Sequence, residues 1–254
     1  MAEVYLLSET DNLLDVLYTA TRTCYNVGLP HDMWDERENI DDEKKVKLLN
    51  HVICSGHESV LEHVYFTFSL EGLSRQASHQ LVRHRIGVAY SQQSQRYCEF
   101  KEDEQYLRQL QLSTRDNKQE AYKELEEILN KYFVGVNKDT VLPYSDSLIA
   151  YLSALNNGWK AEDARQFLPN AFKTNIVMTV NLRELIHLCN ERLCACSQLE
   201  IRTMVGKMAK LVSKEYPFLK EYLQPKCERL GYCPESKQRT CGRKPTREEV
   251  FKKS

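Results

Sequence analysis

From Gly72 to Cys98 the chain carries no Asp or Glu, although it holds Arg75, His79, Arg83, His84, Arg85 and Arg96. Elsewhere acids and bases alternate almost evenly, with 36 Asp and Glu against 35 Lys and Arg. Whatever fold forms must leave this cationic run within reach of an anion or of water, because a buried charge without a partner is costly. Guanidinium groups offer planar paired donors that match phosphate, so a run of them without local acids suits a multiply charged anion. The neutral residues alongside (Gln80, Ser91, Gln92, Gln93 and Ser94) are the type that reads a heteroaromatic edge. A surface Arg cluster solvated by water is the alternative.

A chain of 254 residues can be one large domain or two small ones. Its 42% hydrophobic and 28% charged residues are those of a soluble globular protein. The formal net charge of −1 provides no global field to recruit nucleic acid or membrane. Met1–Ser8 reads as a short strand with Glu3 in it rather than as a signal peptide, and no apolar run reaches the roughly 18 residues of a membrane span. With nine cysteines, the expected compartment is a reducing cytoplasm and the expected thiols are free or metal-bound.

Periodicity predicts a strand over Glu3–Leu7, then a helix from Asn12 to about Cys24 capped by Thr10 or Asp11. A loop is expected over Tyr25–Asn39, and a helix from Asp41 through Val52. Val64–Leu70 reads as a strand that Gly72 breaks. Ser74 caps a helix to about Arg83, and residues 86–95 read as a loop or short helix. Helices are expected over Asn117–Phe133, Tyr144–Leu155, Ala161–Phe167, Asn181–Cys194 and Leu199–Tyr216, with a β-like stretch at Asn175–Val180. Residues 1–225 read as the folded domain and 226–254 as a Cys-, Lys- and Arg-bearing tail, an appendage to the core.

Several chemistries lack their motifs. No P-loop, no Gly-x-Gly-x-x-Gly cradle and no Gly-x-Ser-x-Gly elbow is present, so a phosphate must be held by side chains. His57 and His63 flank Glu62, but a five-residue gap is not a usual helical ligand spacing. Ser91 or Ser94 as a nucleophile would need a base held against it. Cys227, Cys233 and Cys241, spaced by five and seven residues, depart from the short Cys pairs of structural zinc. No metal site is therefore expected. Rival readings are a nucleic-acid-binding module using the Arg island, and a thiol or zinc protein.

Arg83-His84-Arg85, eight residues and then Ser94 resembles the signature of the flavin-dependent thymidylate synthases. His57-x4-Glu62-His63 before an aromatic strand, Gln80, Ser94-x-Arg96-Tyr97, Arg165-x3-Pro169, Asn181-x-Arg183 and Arg192 stand in that family's order. The resemblance implies a mixed α/β fold of the α+β type, a largely antiparallel sheet flanked by helices, in a homotetramer with active sites where subunits meet. It implies transfer of the methylene of 5,10-methylenetetrahydrofolate to carbon 5 of dUMP, with FAD as cofactor and NADPH as reductant, giving dTMP and tetrahydrofolate. Cytoplasmic location and no nucleic-acid or membrane partner go with it.

By the same resemblance, FAD contacts fall on Ser59, Arg83, His84, Arg85, Gln92, Asn181, Arg183 and His187. The dUMP contacts fall on Gln80, Arg83, Gln92, Gln93, Ser94, Gln95, Arg96, Arg165 and Arg192. Arg192 matches the position that polarises the uracil, and His57 a histidine near flavin and folate. Gln92 stands where relatives often carry Glu, and His187 where Asn is common. The unrelated thymidylate synthase uses a cysteine beside a proline. The only such pair here is Cys233-Pro234, in the tail, so no enzymic nucleophile is expected. On an ideal helix Arg183 and His187 face one side and Arg192 points nearly opposite.

Overall fold

The protein is described from a computed structural model covering residues 2–116 and 118–251. In chain order the elements are β1 (Glu3–Glu9), α1 (Leu13–Tyr25), α2 (Pro30–Asp35), α3 (Asp42–Cys54), β2 (Tyr65–Ser74), α4 (Arg75–Leu81) and β3 (Val88–Gln92). There follow α5 (Glu104–Arg115), α6 (Gln119–Tyr132), α7 (Val141–Asn156), α8 (Ala161–Ala164), β4 (Lys173–Asn181), α9 (Leu182–Arg192), α10 (Leu199–Glu215), α11 (Lys226–Leu230) and α12 (Arg247–Phe251). Short 3-10 turns lie at Arg37–Asn39, Glu58–His63, Arg165–Phe167 and Pro217–Leu219. The fold is mixed α/β with an antiparallel sheet in the order β1-β2-β4-β3.

Strand β2 follows from its alternation: Phe66, Phe68 and Leu70 are buried, while Tyr65, Thr67 and Ser69 between them are not. In β4 the buried set is Thr174, Ile176, Met178 and Val180. The chain divides into two compact units, and each strand has residues in both. One unit is 1–3, 71–81 and 91–176; the other is 4–70, 82–90 and 177–254.

In the first unit α5, α6 and α7 pack on one another around Leu107, Leu125, Leu129, Leu148 and Leu152. Phe172, which enters β4, is 1% exposed and has its ring 4.6 Å from Phe100 and 5.3 Å from Phe133. Phe172→Ala should cost about 3–5 kcal/mol of stability, the range for an emptied aromatic site. Urea unfolding of the purified variant measures it. In the second unit α1 packs on α3, and α9 on α10 and on the 58–63 turn. Lys45, buried in α3, binds Asp15 of α1 at 2.5 Å and Asp42 at 3.2 Å.

Several local expectations change. Gly72 does not break β2: it adopts φ +68, which glycine tolerates, and Asn175 Oδ1 accepts its N–H at 2.9 Å. Residues 88–92 form a strand rather than a loop or helix. Helix α4 stops at Leu81, so Arg83 is not on it, although Ser74 Oγ does cap it through Ala77 N at 3.0 Å. Helix α1 begins after Asn12 in a left-handed conformation. Thr10 does not cap it; its hydroxyl accepts Tyr65 N–H instead.

The expected loop 25–39 contains α2, whose start carries Pro30 as a proline-initiated helix does. Asn181 caps α9 rather than lying within it. Helix α5 occupies a stretch after Glu102 for which no element was expected. The expected start of α6 at Asn117 lies outside the described residues. In the tail, Cys227, Cys233 and Thr246 are buried.

Candidate active site

The second unit builds its site on the start of α9. Asn181 is extended, and its Oδ1 accepts Glu184 N–H at 2.8 Å, the arrangement of a helix N-cap. Its own N–H donates to Gly87 O at 2.8 Å, and Leu182 N–H to Val64 O at 2.8 Å. The Arg83–Gly87 segment and the end of the 58–63 turn are thereby tied to one helix start. Gly87 has φ +67, and a Cβ there would lie 2.0 Å from Asn181 Nδ2.

Glu184, in the first turn of α9, reaches His84. His84 is 7% exposed, and its Nδ1 lies 2.8 Å from Glu184 Oε1. On the other side of the ring, Arg192 Nε donates to His84 Nε2 at 3.1 Å. Arginine has no acceptor, so Nε2 carries the lone pair and Nδ1 the proton that Glu184 accepts. The relay Glu184–His84–Arg192 therefore has one polarity. It uses the inner Nε–H of Arg192. The two outer amino groups of Arg192 make no hydrogen bond or ion pair among the described residues.

His187 packs its ring 5.6 Å from that of His84. Arg192 and His187 thus approach the same imidazole, whereas ideal helix geometry put Arg192 nearly opposite. His84, Glu184 and His187 also bring possible metal ligands within 4.8 Å of one another. Both His84 nitrogens are already engaged, so the ring has no free lone pair for a cation. The Tyr90 hydroxyl donates to His84 O at 3.0 Å, and burial pushes its pKa far above the ordinary phenol value.

A cavity of about 320 Å3 lies beside this relay, lined in part by Asn181, Arg183, Glu184, His187, Glu58 and Glu62. Arg183 already has two acids there, Glu62 in a short ion pair and Glu58 at 3.8 Å. Arg83 and Arg85 are exposed and have no acid or hydrogen-bond partner among the described residues. Ser59 is exposed on the 58–63 turn. His57 precedes that turn, with its ring edge-on to Tyr25 at 6.1 Å. It lines a different cavity of about 280 Å3, with Thr21, Arg22, Tyr25 and His51.

The first unit holds Gln80, Gln92–Arg96 and Arg165. Gln92, at the end of β3, donates both amide hydrogens, to Ser78 Oγ at 3.1 Å and Thr174 Oγ1 at 3.2 Å. That leaves its carbonyl oxygen for a ligand. Gln93 is anchored by its N–H to Asn175 O at 2.9 Å and by Asn175 Nδ2 to its Oε1 at 3.0 Å. Ser94 Oγ accepts Arg96 N–H at 3.1 Å and has no imidazole or carboxylate partner among the described residues. It is arranged as a turn-forming hydroxyl that can donate. Gln80 and Gln95 are half-buried.

Arg96 pairs with Glu162 at 2.7 Å, and Arg165 Nε donates to Glu162 O at 3.0 Å. Burial, then the charge of Arg165, hold the Arg75 guanidinium below its usual pKa.

The residues the motifs did not reveal are Glu184, Glu58, Ser78, Glu162 and Thr174. Glu184 had a readable signal: Asn181 followed three residues later by an acid is the spacing of a capping box. The others join through contacts far apart in the chain.

Residues 5–218 match the model of the family described as thymidylate synthase complementing protein. The flavin-dependent thymidylate synthase of Nitratidesulfovibrio vulgaris is 38% identical over 250 residues, covering 97% of each chain. That of Geobacter sulfurreducens is 36% identical, covering 98% of each. That of Pyrococcus furiosus is 41% identical over 202 residues, covering 78% of this chain and 76% of its own. The fold is similar to thymidylate synthase X of Helicobacter pylori, solved with FAD and dUMP: TM-score 0.67, 26% identity, 87% of this chain and 99% of that one. The Arg-rich segment, the oriented Arg192 and these matches agree, and the chain belongs to the flavin-dependent thymidylate synthase family.

Proposed function

We propose that this protein methylates dUMP to dTMP, taking the carbon from 5,10-methylenetetrahydrofolate and reducing power from NADPH. The observation that carries the reading is Arg192, whose inner nitrogen is committed to His84 while its outer amino groups have no partner among the described residues. A guanidinium so held can face the pyrimidine amide and stabilise negative charge as it develops on the ring, which makes carbon 5 electron-rich. Arginine suits the task because it stays charged.

The residues present fit FAD. Arg83 and Arg85 have no acid partner among the described residues and suit its diphosphate. Asn181, Arg183 and His187 line a cavity, with Ser59 on the adjoining turn. Because Arg183 is shared with Glu58 and Glu62, Arg83 and Arg85 carry most of the phosphate binding. With its nitrogens engaged, His84 offers the flavin only its ring face or backbone, and Gln92 only its carbonyl. Bound FAD would supply hydride chemistry. The protein positions the substrates and polarises the uracil.

The dUMP phosphate falls to Arg96 and Arg165. Gln80, Gln92, Gln93, Ser94, Gln95 and Arg83 complete the nucleotide contacts, and His57 lies toward the folate. We assign residues 1–225 to the catalytic domain and 226–254 to a tail; the family match ends at residue 218. A homotetramer in the cytoplasm is part of the same reading. Among the described residues no helix is long and apolar enough to cross a membrane.

The test uses the purified protein. The visible spectrum should show bound flavin. NADPH oxidation should accelerate when dUMP is added, and dTMP should appear only when methylenetetrahydrofolate is also present. Flavin without dTMP under those conditions would overturn the substrate assignment.

A further inference from the structure

Spacing alone argued against metal in the tail, but the fold adds two thiols from elsewhere. Cys194 and Cys196 lie in the turn between α9 and α10. Cys196 Sγ donates to Arg239 O at 3.4 Å, two residues before Cys241; Lys226, beside Cys227, pairs with Glu191 at 3.9 Å, just before the turn; and Lys244 pairs with Glu228 at 3.0 Å. Burial, then Glu228, then the thiols of Cys194, Cys233 and Cys241 raise the pKa of Cys227. Cysteines far apart in the chain thus converge, and all nine are free of disulfides.

A second observation concerns what holds the tail. Between residues 226 and 251 the only buried residues are Cys227, Cys233 and Thr246. The local order consists of two five-residue helices and a bridge between Cys233 and Thr246. Cys233 N–H donates to Pro245 O at 2.7 Å, and Arg247 N–H to Cys233 O at 3.0 Å. So little apolar burial cannot hold a segment of this length in place; segments of this kind are held by a cross-link or a metal. The same stretch carries seven Lys and Arg against four Asp and Glu. That surplus suits a centre with two net negative charges.

We propose that Cys194, Cys196, Cys227 and Cys241 form a structural zinc site that fastens the tail to the turn between α9 and α10. Four thiols lose their protons as Zn2+ binds, giving a closed tetrahedral centre with sulfurs about 2.3 Å from the metal. Among the described residues no three of these thiols meet the 4.8 Å spacing seen for His84, Glu184 and His187. Binding therefore draws the sulfurs together. Cys233 is left out because it is buried and its backbone is tied on both sides to the 245–247 segment. Cys194 lies two residues beyond Arg192, so the site would also steady the end of α9.

The full chain, purified without chelator, is analysed for zinc by mass spectrometry and for thiols in denaturant. About one zinc per chain is expected. Cys227→Ser and Cys241→Ser should each lose most of it, while Cys54→Ser should keep it. If the first two variants do not fold, the wild-type protein loaded with Co2+ decides: a tetrahedral all-thiolate site gives intense thiolate-to-cobalt charge-transfer and d–d bands. Their absence, a disulfide among these cysteines in place of metal, or zinc retained by both folded variants would overturn the proposal.

Discussion

Arg192→Ala should lower kcat for dTMP formation by roughly 10²–10³-fold, about 2.7–4 kcal/mol, the usual cost of removing one preorganised charge stabiliser. Flavin content, read from the visible spectrum, should stay close to that of the parent protein. The asymmetry follows from the geometry. Among the described residues Arg192 makes one side-chain hydrogen bond, through Nε to His84, which leaves its other donors unpaired. Removing it deletes an interaction that strengthens as the uracil becomes anionic. Such a loss appears in kcat and kcat/KM together rather than in KM alone. Arg192→Lys is the sharper comparison. Lysine keeps the charge but has no Nε–H at that position and no planar pair of donors. It should remain far below the parent rate. Near-normal synthesis by Arg192→Lys would mean that charge alone suffices and that the His84 relay does not matter.

Gly87→Ala should destabilise the protein by about 2–4 kcal/mol and disturb the site. Two costs combine. An L side chain in the left-handed region costs roughly 1–2 kcal/mol, and Gly87 sits at φ +67. The added Cβ would also meet Asn181 Nδ2 at 2.0 Å, so Asn181 must move. Asn181 caps α9, and losing a cap costs about 0.5–2 kcal/mol. Displacing it also loosens Glu184, the acceptor for His84. Thermal and urea unfolding report the first effect. Weaker flavin retention and a slower rate in the folded fraction report the second. Unchanged stability would show that the backbone relaxes at no cost.

Much of this was legible in one dimension. The Arg83-His84-Arg85 and Ser94-x-Arg96 motifs depend only on residue type and spacing. Strands β2 and β4 come from alternation, because side chains on a strand point to opposite faces every second residue. Most helices came within a few residues of their observed bounds. Among the failures were Gly72, read as a stop, residues 88–92, read as a loop or short helix, the helix expected to reach Arg83, and the loop that holds α2. Asn175, more than 100 residues downstream, accepts the Gly72 amide and keeps the strand going. The partner was too distant for a local window to include.

By itself the sequence determined which side chains were available to bind anions, and that no acid in the Gly72–Cys98 stretch would neutralise them. It determined the family resemblance and therefore the reaction to expect. Tertiary structure alone decided how those side chains are oriented. It put Glu184 and Arg192 on opposite edges of His84, gave Glu58 and Glu62 to Arg183 while leaving Arg83 and Arg85 without acids among the described residues, and brought Cys196 to Arg239 in the tail. The physical reason is the same in each case. A hydrogen bond or ion pair depends on distances of a few ångströms. Residues from about 40 to more than 100 positions apart reach that range only once the fold has closed.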